Sequence, residues 1–152
     1  MKPNSKGIKK KFECLKQLYN AIEKVRLRNE LMYPTVDKGK VEQSRKKGMP
    51  VVITWPMMVN CPEVSEFVQC LERDGWNVRE YDIQECNEIL GRLDKIKSAD
   101  FNMVKRLLTY FIRGERFCDG HWVKLIEAGF VKALIHRLDV LIENDTGNNI
   151  TL

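Results

Sequence analysis

No apolar run in this sequence approaches the ~20 residues that a membrane span requires; Val51-Val52-Ile53 is typical of those present. Residues Met1 to Lys11 are lysine-rich and lead into no apolar stretch, so no secretory signal and no membrane span are expected, and the expected compartment is the cytoplasm. The spacing Cys-x-x-Cys is absent. The five cysteines, at 14, 61, 70, 86 and 118, are odd in number and irregularly placed, which argues against a disulfide framework and for free thiols in a reducing compartment. Cys118 and His121 form a Cys-x-x-His pair, half of a zinc site. A structural zinc needs four ligands, and other candidates such as Cys86 fall on apolar helix faces, so no metal is expected. Histidine occurs twice, at 121 and 136. The phosphate-cradling Gly-rich loop, the Ser elbow and His-Glu-x-x-His are all missing, and no cofactor is expected.

What is present is a chain of 152 residues and 17.8 kDa, 43% hydrophobic and 31% charged, which fits one compact folded domain. The net charge of +5 is unevenly spread. Residues 1–50 carry 14 Lys/Arg against 5 Asp/Glu, whereas residues 51–152 carry 12 against 16. A first third that basic can attract an acidic partner, whether a protein, a nucleic acid, an anionic surface or the acidic remainder of the same chain, and Lys9-Lys10-Lys11 and Arg45-Lys46-Lys47 equally make sense as the wet side of a helix face and a loop. No aromatic is interleaved with Lys9-Lys10-Lys11 or Arg45-Lys46-Lys47 as stacking platforms for single strands would be.

Apolar periodicity predicts mainly helix. Ile8, Phe12, Leu15, Tyr19 and Ile22 recur at steps of four and three, predicting an amphipathic basic helix to about Leu31. Its docking partner, its own domain or another chain, is open. Residues 1–32 are thus expected as a helical arm, 33–50 as a polar linker, 51–143 as a helical domain and 144–152 as a disordered tail. Within the domain, Val51–Trp55 and Asn77–Tyr81 have strand character, so at most a short two-stranded ribbon accompanies the helices. Helix starts are expected at Asn60 with Glu63, at Asp82 with Glu85, at Ser98 and at Asp119. Cys86, Ile89, Leu90 and Leu93 are expected to face inward. The expected fold class is a mainly α, compact multi-helix domain.

One segment is not explained as core. Arg113-Gly114-Glu115-Arg116-Phe117-Cys118-Asp119-Gly120-His121-Trp122 gathers two arginines, two carboxylates, a thiol and an imidazole at a junction between two helices. The candidate ligand-binding residues are Arg113, Glu115, Arg116, Cys118, Asp119 and His121. Arginine forks grip carboxylate or phosphate, and free N–H groups at a helix start attract anions. The same residues also make sense as a polar clasp, with the arginines paired to Glu115, Asp119 or helix-end carbonyls to fix an interhelix angle.

Together with Ser98-Ala99-Asp100, Lys105-Arg106-Leu107-Leu108-Thr109, Gly129 and Arg137-Leu138, this box resembles a family of small bacterial proteins of unknown function, over about Trp55 to Leu138. The resemblance implies a cytoplasmic single-domain protein centred on the box. Where that family carries an Asp-Trp-x-x-Trp run, this chain has Asp82-Ile83-Gln84-Glu85-Cys86. Two functions compete. In the first, the chain is a binding or regulatory module. In the second it is a small enzyme acting on a phosphate-containing or other anionic substrate: Arg113 and Arg116 hold the anion, His121 is the general acid/base, Glu115 or Asp119 orients it, and Cys118 is a candidate nucleophile. A structural subunit, whose first helix completes another chain's bundle, is a third.

Overall fold

The computed structural model describes residues 5–35, 42–43, 45–48, 57–115 and 120–145. The elements are α1 (Ser5–Leu27), β1 (Met32–Thr35), β2 (Met57–Asn60), α2 (Pro62–Arg73), α3 (Ile83–Leu90), α4 (Leu93–Ser98), α5 (Phe101–Gly114), α6 (His121–Glu127) and α7 (Phe130–Glu143). The protein is a mainly α domain with one antiparallel ribbon, in which Met32 pairs with Asn60 and Thr35 with Met57. Pro34 is tolerated because each strand of a two-stranded ribbon is an edge. Among the described residues, no helix is long and apolar enough to cross a membrane.

The first helix docks on its own domain. Ile8, Phe12, Leu15, Tyr19, Ile22 and Val25, the periodic stripe, are all buried in the same core as Phe67 of α2 and Leu138 of α7. Phe12 meets Trp76 edge-on at 6.2 Å between centroids, and Tyr19 meets Phe67 at 6.3 Å. Part of the basic surplus is used inside the chain: Lys16 Nζ pairs with Asp139 of α7 at 2.7 Å, and Lys11 Nζ donates to the Asp74 carbonyl at 3.2 Å. The helix ends at Leu27 rather than Leu31 because Asn29 turns left-handed, at φ 58°.

The ribbon is not where strand propensity put it. Val51–Trp55 lies outside the described residues, and Asn77–Tyr81 is an unpaired connection. Its backbone finds another partner: the Val78 N–H donates to Thr109 Oγ1 at 2.8 Å, and that hydroxyl donates to the Lys105 carbonyl at 2.8 Å. A side chain of α5 thus takes the place of a second strand. Instead, β1 forms from the start of the segment expected as linker. Thr109 is 2% exposed. The isosteric Thr109→Val change is therefore expected to cost about 1–2 kcal/mol by orphaning the Val78 N–H, and Thr109→Ser to recover most of it, measured by urea denaturation.

Local signals set the helix ends with mixed success. Asp82 caps α3, its Oδ1 accepting from the Glu85 N–H at 2.8 Å, as its spacing predicts. Ser98 does not start a helix; it closes α4, and Asp100 caps α5 by accepting from the Met103 N–H at 2.7 Å. Leu93 belongs to α4 and is 45% exposed, so only Cys86 of its expected stripe is fully buried. Gly75, at φ 82°, ends α2, and the Trp76 N–H returns to the Leu71 carbonyl at 3.0 Å, which drops the indole into the core. Of the expected tail, Asn144 caps α7 through the Val140 carbonyl at 3.1 Å, and residues 146–152 lie outside the described residues.

Candidate functional site

The box opens where α5 stops. Glu115 is the residue after α5, and its side chain folds forward over the start of α6. Oε1 accepts from the Gly120 N–H at 3.2 Å, and Oε2 accepts from the Trp122 N–H at 2.8 Å. Helix α6 has no cap of its own, because Gly120 occupies the N-cap position at φ 80° with no side chain. Glu115 therefore supplies from the preceding helix the acceptor that an N-cap residue normally provides, with negative charge at the positive end of the helix. The cap was expected from Asp119, which lies outside the described residues, as do Arg116 and Cys118.

A third bond ties the same carboxylate to the ribbon: Asn60 Nδ2 donates to Glu115 Oε1 at 3.0 Å. Asn60 was expected to cap α2. That helix begins after Cys61 with no side-chain cap and with Pro62 in its first turn, which leaves the Asn60 amide available to Glu115. One carboxylate thus joins β2, the end of α5 and the start of α6.

The remaining described box residues point elsewhere. Arg113 donates from Nη2 to the Arg79 carbonyl at 2.9 Å and lies 5.0 Å from the Tyr81 ring centroid, holding the 79–81 connection against α5. His121 stands edge-on to Tyr110 and Phe111, at 5.9 and 6.3 Å. A Cβ built at Gly114 would collide with the imidazole, so the glycine is required there by close approach. His121 Nε2 is buried without a hydrogen-bond partner. Burial lowers the pKa of this ring; the Glu115 charge opposes that effect and the Lys124 charge adds to it. Neither Arg113 nor His121 is among the described residues that line the cleft beside Glu115.

The ionisation of His121 has a testable consequence. In the unfolded chain its pKa returns to 6.5, so on acidification the unfolded state takes up the proton first. The stability gained by burying the neutral ring is complete above pH 6.5 and is lost as pH falls through the lower folded value. His121→Phe, which keeps a ring in the slot, is expected to flatten the decline in unfolding free energy as pH falls below 6.5, read from denaturant titrations at a series of pH values.

Beside the Glu115 joint lies a cleft of about 330 Å³. Asn60 of β2, Ser65, Val68, Gln69 and Glu72 of α2, Ile112 of α5, Glu115 and Trp122 of α6 line it. Trp122 is 1% exposed and packs edge-on against Phe67 and Phe111 at 5.8 and 5.9 Å. Two of these lining residues each hold a buried polar atom without a hydrogen-bond partner, Asn60 Oδ1 and Trp122 Nε1. Of the described candidate ligand-binding residues, Arg113, Glu115 and His121, only Glu115 lines the cleft. Asn60, Ser65 and Gln69 had no distinguishing signal: a polar residue before a helix resembles a cap, and polar residues on an amphipathic helix resemble a wet face.

Two of the buried thiols are quiet. Burial, then the bond to Asp74, pushes Cys70 up to about 12, and burial pushes Cys86 up to about 11. Both are protonated and poorly nucleophilic at neutral pH. Among the described residues, no group of three His, Cys, Asp or Glu side chains is placed to hold a metal ion.

A model described as "Family of unknown function (DUF6508)" matches residues 13–144, so the chain belongs to that family. The match takes in most of α1 and everything through α7, a wider span than the box and its flanks suggested. No curated protein matches the chain. No solved structure matches it either.

Proposed function

From membership of that family as the premise, we propose that this protein is a binding or regulatory module in which the box serves as a joint and the cleft beside it receives the ligand. The observation that carries the reading is the three-way bonding of Glu115, which joins β2, α5 and α6 beside a cleft two of whose lining residues hold buried, unpartnered polar atoms. Support also comes from the other described box groups. Arg113 is engaged with a backbone carbonyl and a tyrosine ring, and His121 is packed as a neutral ring, so neither is presented as anion clamp or proton donor. An acidic macromolecule at the basic first third has less in its favour, since Lys11 and Lys16 have partners within the chain.

A thermal-shift panel of small carboxylates, phosphates, amines and amides tests the reading. It is run on the wild type and on Ser65→Trp, which fills the cleft from an exposed position on α2. At saturating ligand at least one class is expected to raise the wild-type Tm by on the order of 5 °C and to leave Ser65→Trp unmoved. A panel without effect on the wild type, or stabilisation that persists in Ser65→Trp, would overturn the proposal.

A further inference from the structure

We infer that the cleft beside the Glu115 joint takes a carboxamide carried on a short apolar stem. This rests on the binding reading above and names its ligand chemistry. Two orphan atoms carry the argument. A carboxylate only accepts hydrogen bonds, so the Asn60 side chain must turn its Nδ2 toward Glu115, and Oδ1 is necessarily the atom left over. That oxygen is buried and has no partner among the described residues. Trp122 gives its backbone N–H to the other oxygen of the same carboxylate, and its indole Nε1–H is likewise buried and unpartnered. Native structures rarely leave such atoms unmatched, and here an acceptor in want of a donor and a donor in want of an acceptor belong to two residues that both bond one carboxylate and both line the cleft.

A carboxamide answers both with one planar group: its N–H donates to Asn60 Oδ1 and its carbonyl accepts from Trp122 Nε1. A carboxylate brings no donor and an ammonium brings no acceptor. Charge points the same way, because Glu72 and Glu115 line the cleft and no Lys or Arg does among the described residues, which disfavours the anion that the two arginines suggest in the sequence. Val68 and Ile112 offer apolar wall for the stem. As the cleft stands, both orphan atoms are shut off from water, so binding includes a small opening, for which Gln69 and Glu72, exposed on α2, are the movable wall.

The test is an NMR titration of the full chain, following the Trp122 indole N–H and the Gln69 amides. The probes are butyramide and N-acetyl-glutamine methylamide, with butyrate, butylammonium and inorganic phosphate as controls. The amides are expected to give saturable shifts, at least tenfold weaker in Trp122→Phe and in Asn60→Ala, and absent in Ser65→Trp, which leaves both polar atoms in place. Tighter binding of butyramide identifies a free small amide, and tighter binding of the glutamine derivative a partner's side chain; both support the inference. Equal or stronger shifts with butyrate, butylammonium or phosphate that Ser65→Trp abolishes would overturn the carboxamide and leave the binding reading standing. Amide shifts unchanged in all three variants, or no shift with any probe, would overturn the carboxamide too; in the last case the orphan atoms are simply left unmatched and the binding reading falls with it.

Discussion

A chain beginning at residue 33 is expected to lose its cooperative thermal transition and its dispersed NMR spectrum. Removal of the first 32 residues takes away Phe12, Leu15, Ile22, Val25 and Leu31, each 3% exposed or less. At about 1.5–3 kcal/mol for each large apolar side chain withdrawn from the core, the loss is on the order of 10 kcal/mol, comparable with the entire stability of an ordinary domain. The truncation also exposes Trp76 and Phe67, which lie against Phe12 and Tyr19. A milder version is Leu15→Ala, expected to cost about 2–5 kcal/mol because the side chain is fully buried. A folded, cooperatively melting 33–152 fragment would show that α1 is an accessory arm after all.

Glu115→Ala is expected to cost about 2–4 kcal/mol. Three donors lose their acceptor at once: the Gly120 N–H, the Trp122 N–H and the Asn60 amide. Helix α6 has only seven residues and, among the described residues, no other side-chain cap, so its first turn frays and Trp122 loses its fixed position. Glu115→Gln is the informative comparison. It keeps one acceptor oxygen but turns a donor toward another donor, and about half the loss is expected. Urea denaturation gives the magnitudes, and amide exchange across residues 120–127 locates them. Unchanged exchange in α6 would mean that the short helix is held by packing alone.

How much of this was legible beforehand depends on the range of the interaction. The stripe of α1 and the capping of α3 by Asp82 were readable, because a 3.6-residue period and an acceptor three residues before its donor are contained in a few residues of sequence. Where two caps competed, Ser98 against Asp100, proximity in sequence did not decide, since both lie near the start of the same apolar stripe and only the packing of α4 settles which turn belongs to which helix. The composition of the box drew attention to the α5–α6 junction and included Glu115 among its candidates, but the arginines were the partners expected for that carboxylate, and the bond it makes to a remote asparagine had no local signal.

The amino-acid sequence by itself determined that this chain is mainly helical, which faces of α1, α5 and α7 are apolar, and that its polar groups concentrate ahead of α6. Tertiary structure alone decided that β1 pairs with β2, that Val78 finds Thr109 across 31 residues and that Asn60 finds Glu115 across 55. Helix periodicity follows from backbone geometry repeated every few residues. The partner of a lone N–H or amide is whichever acceptor the packed core brings within 3 Å, and no local rule encodes that distance.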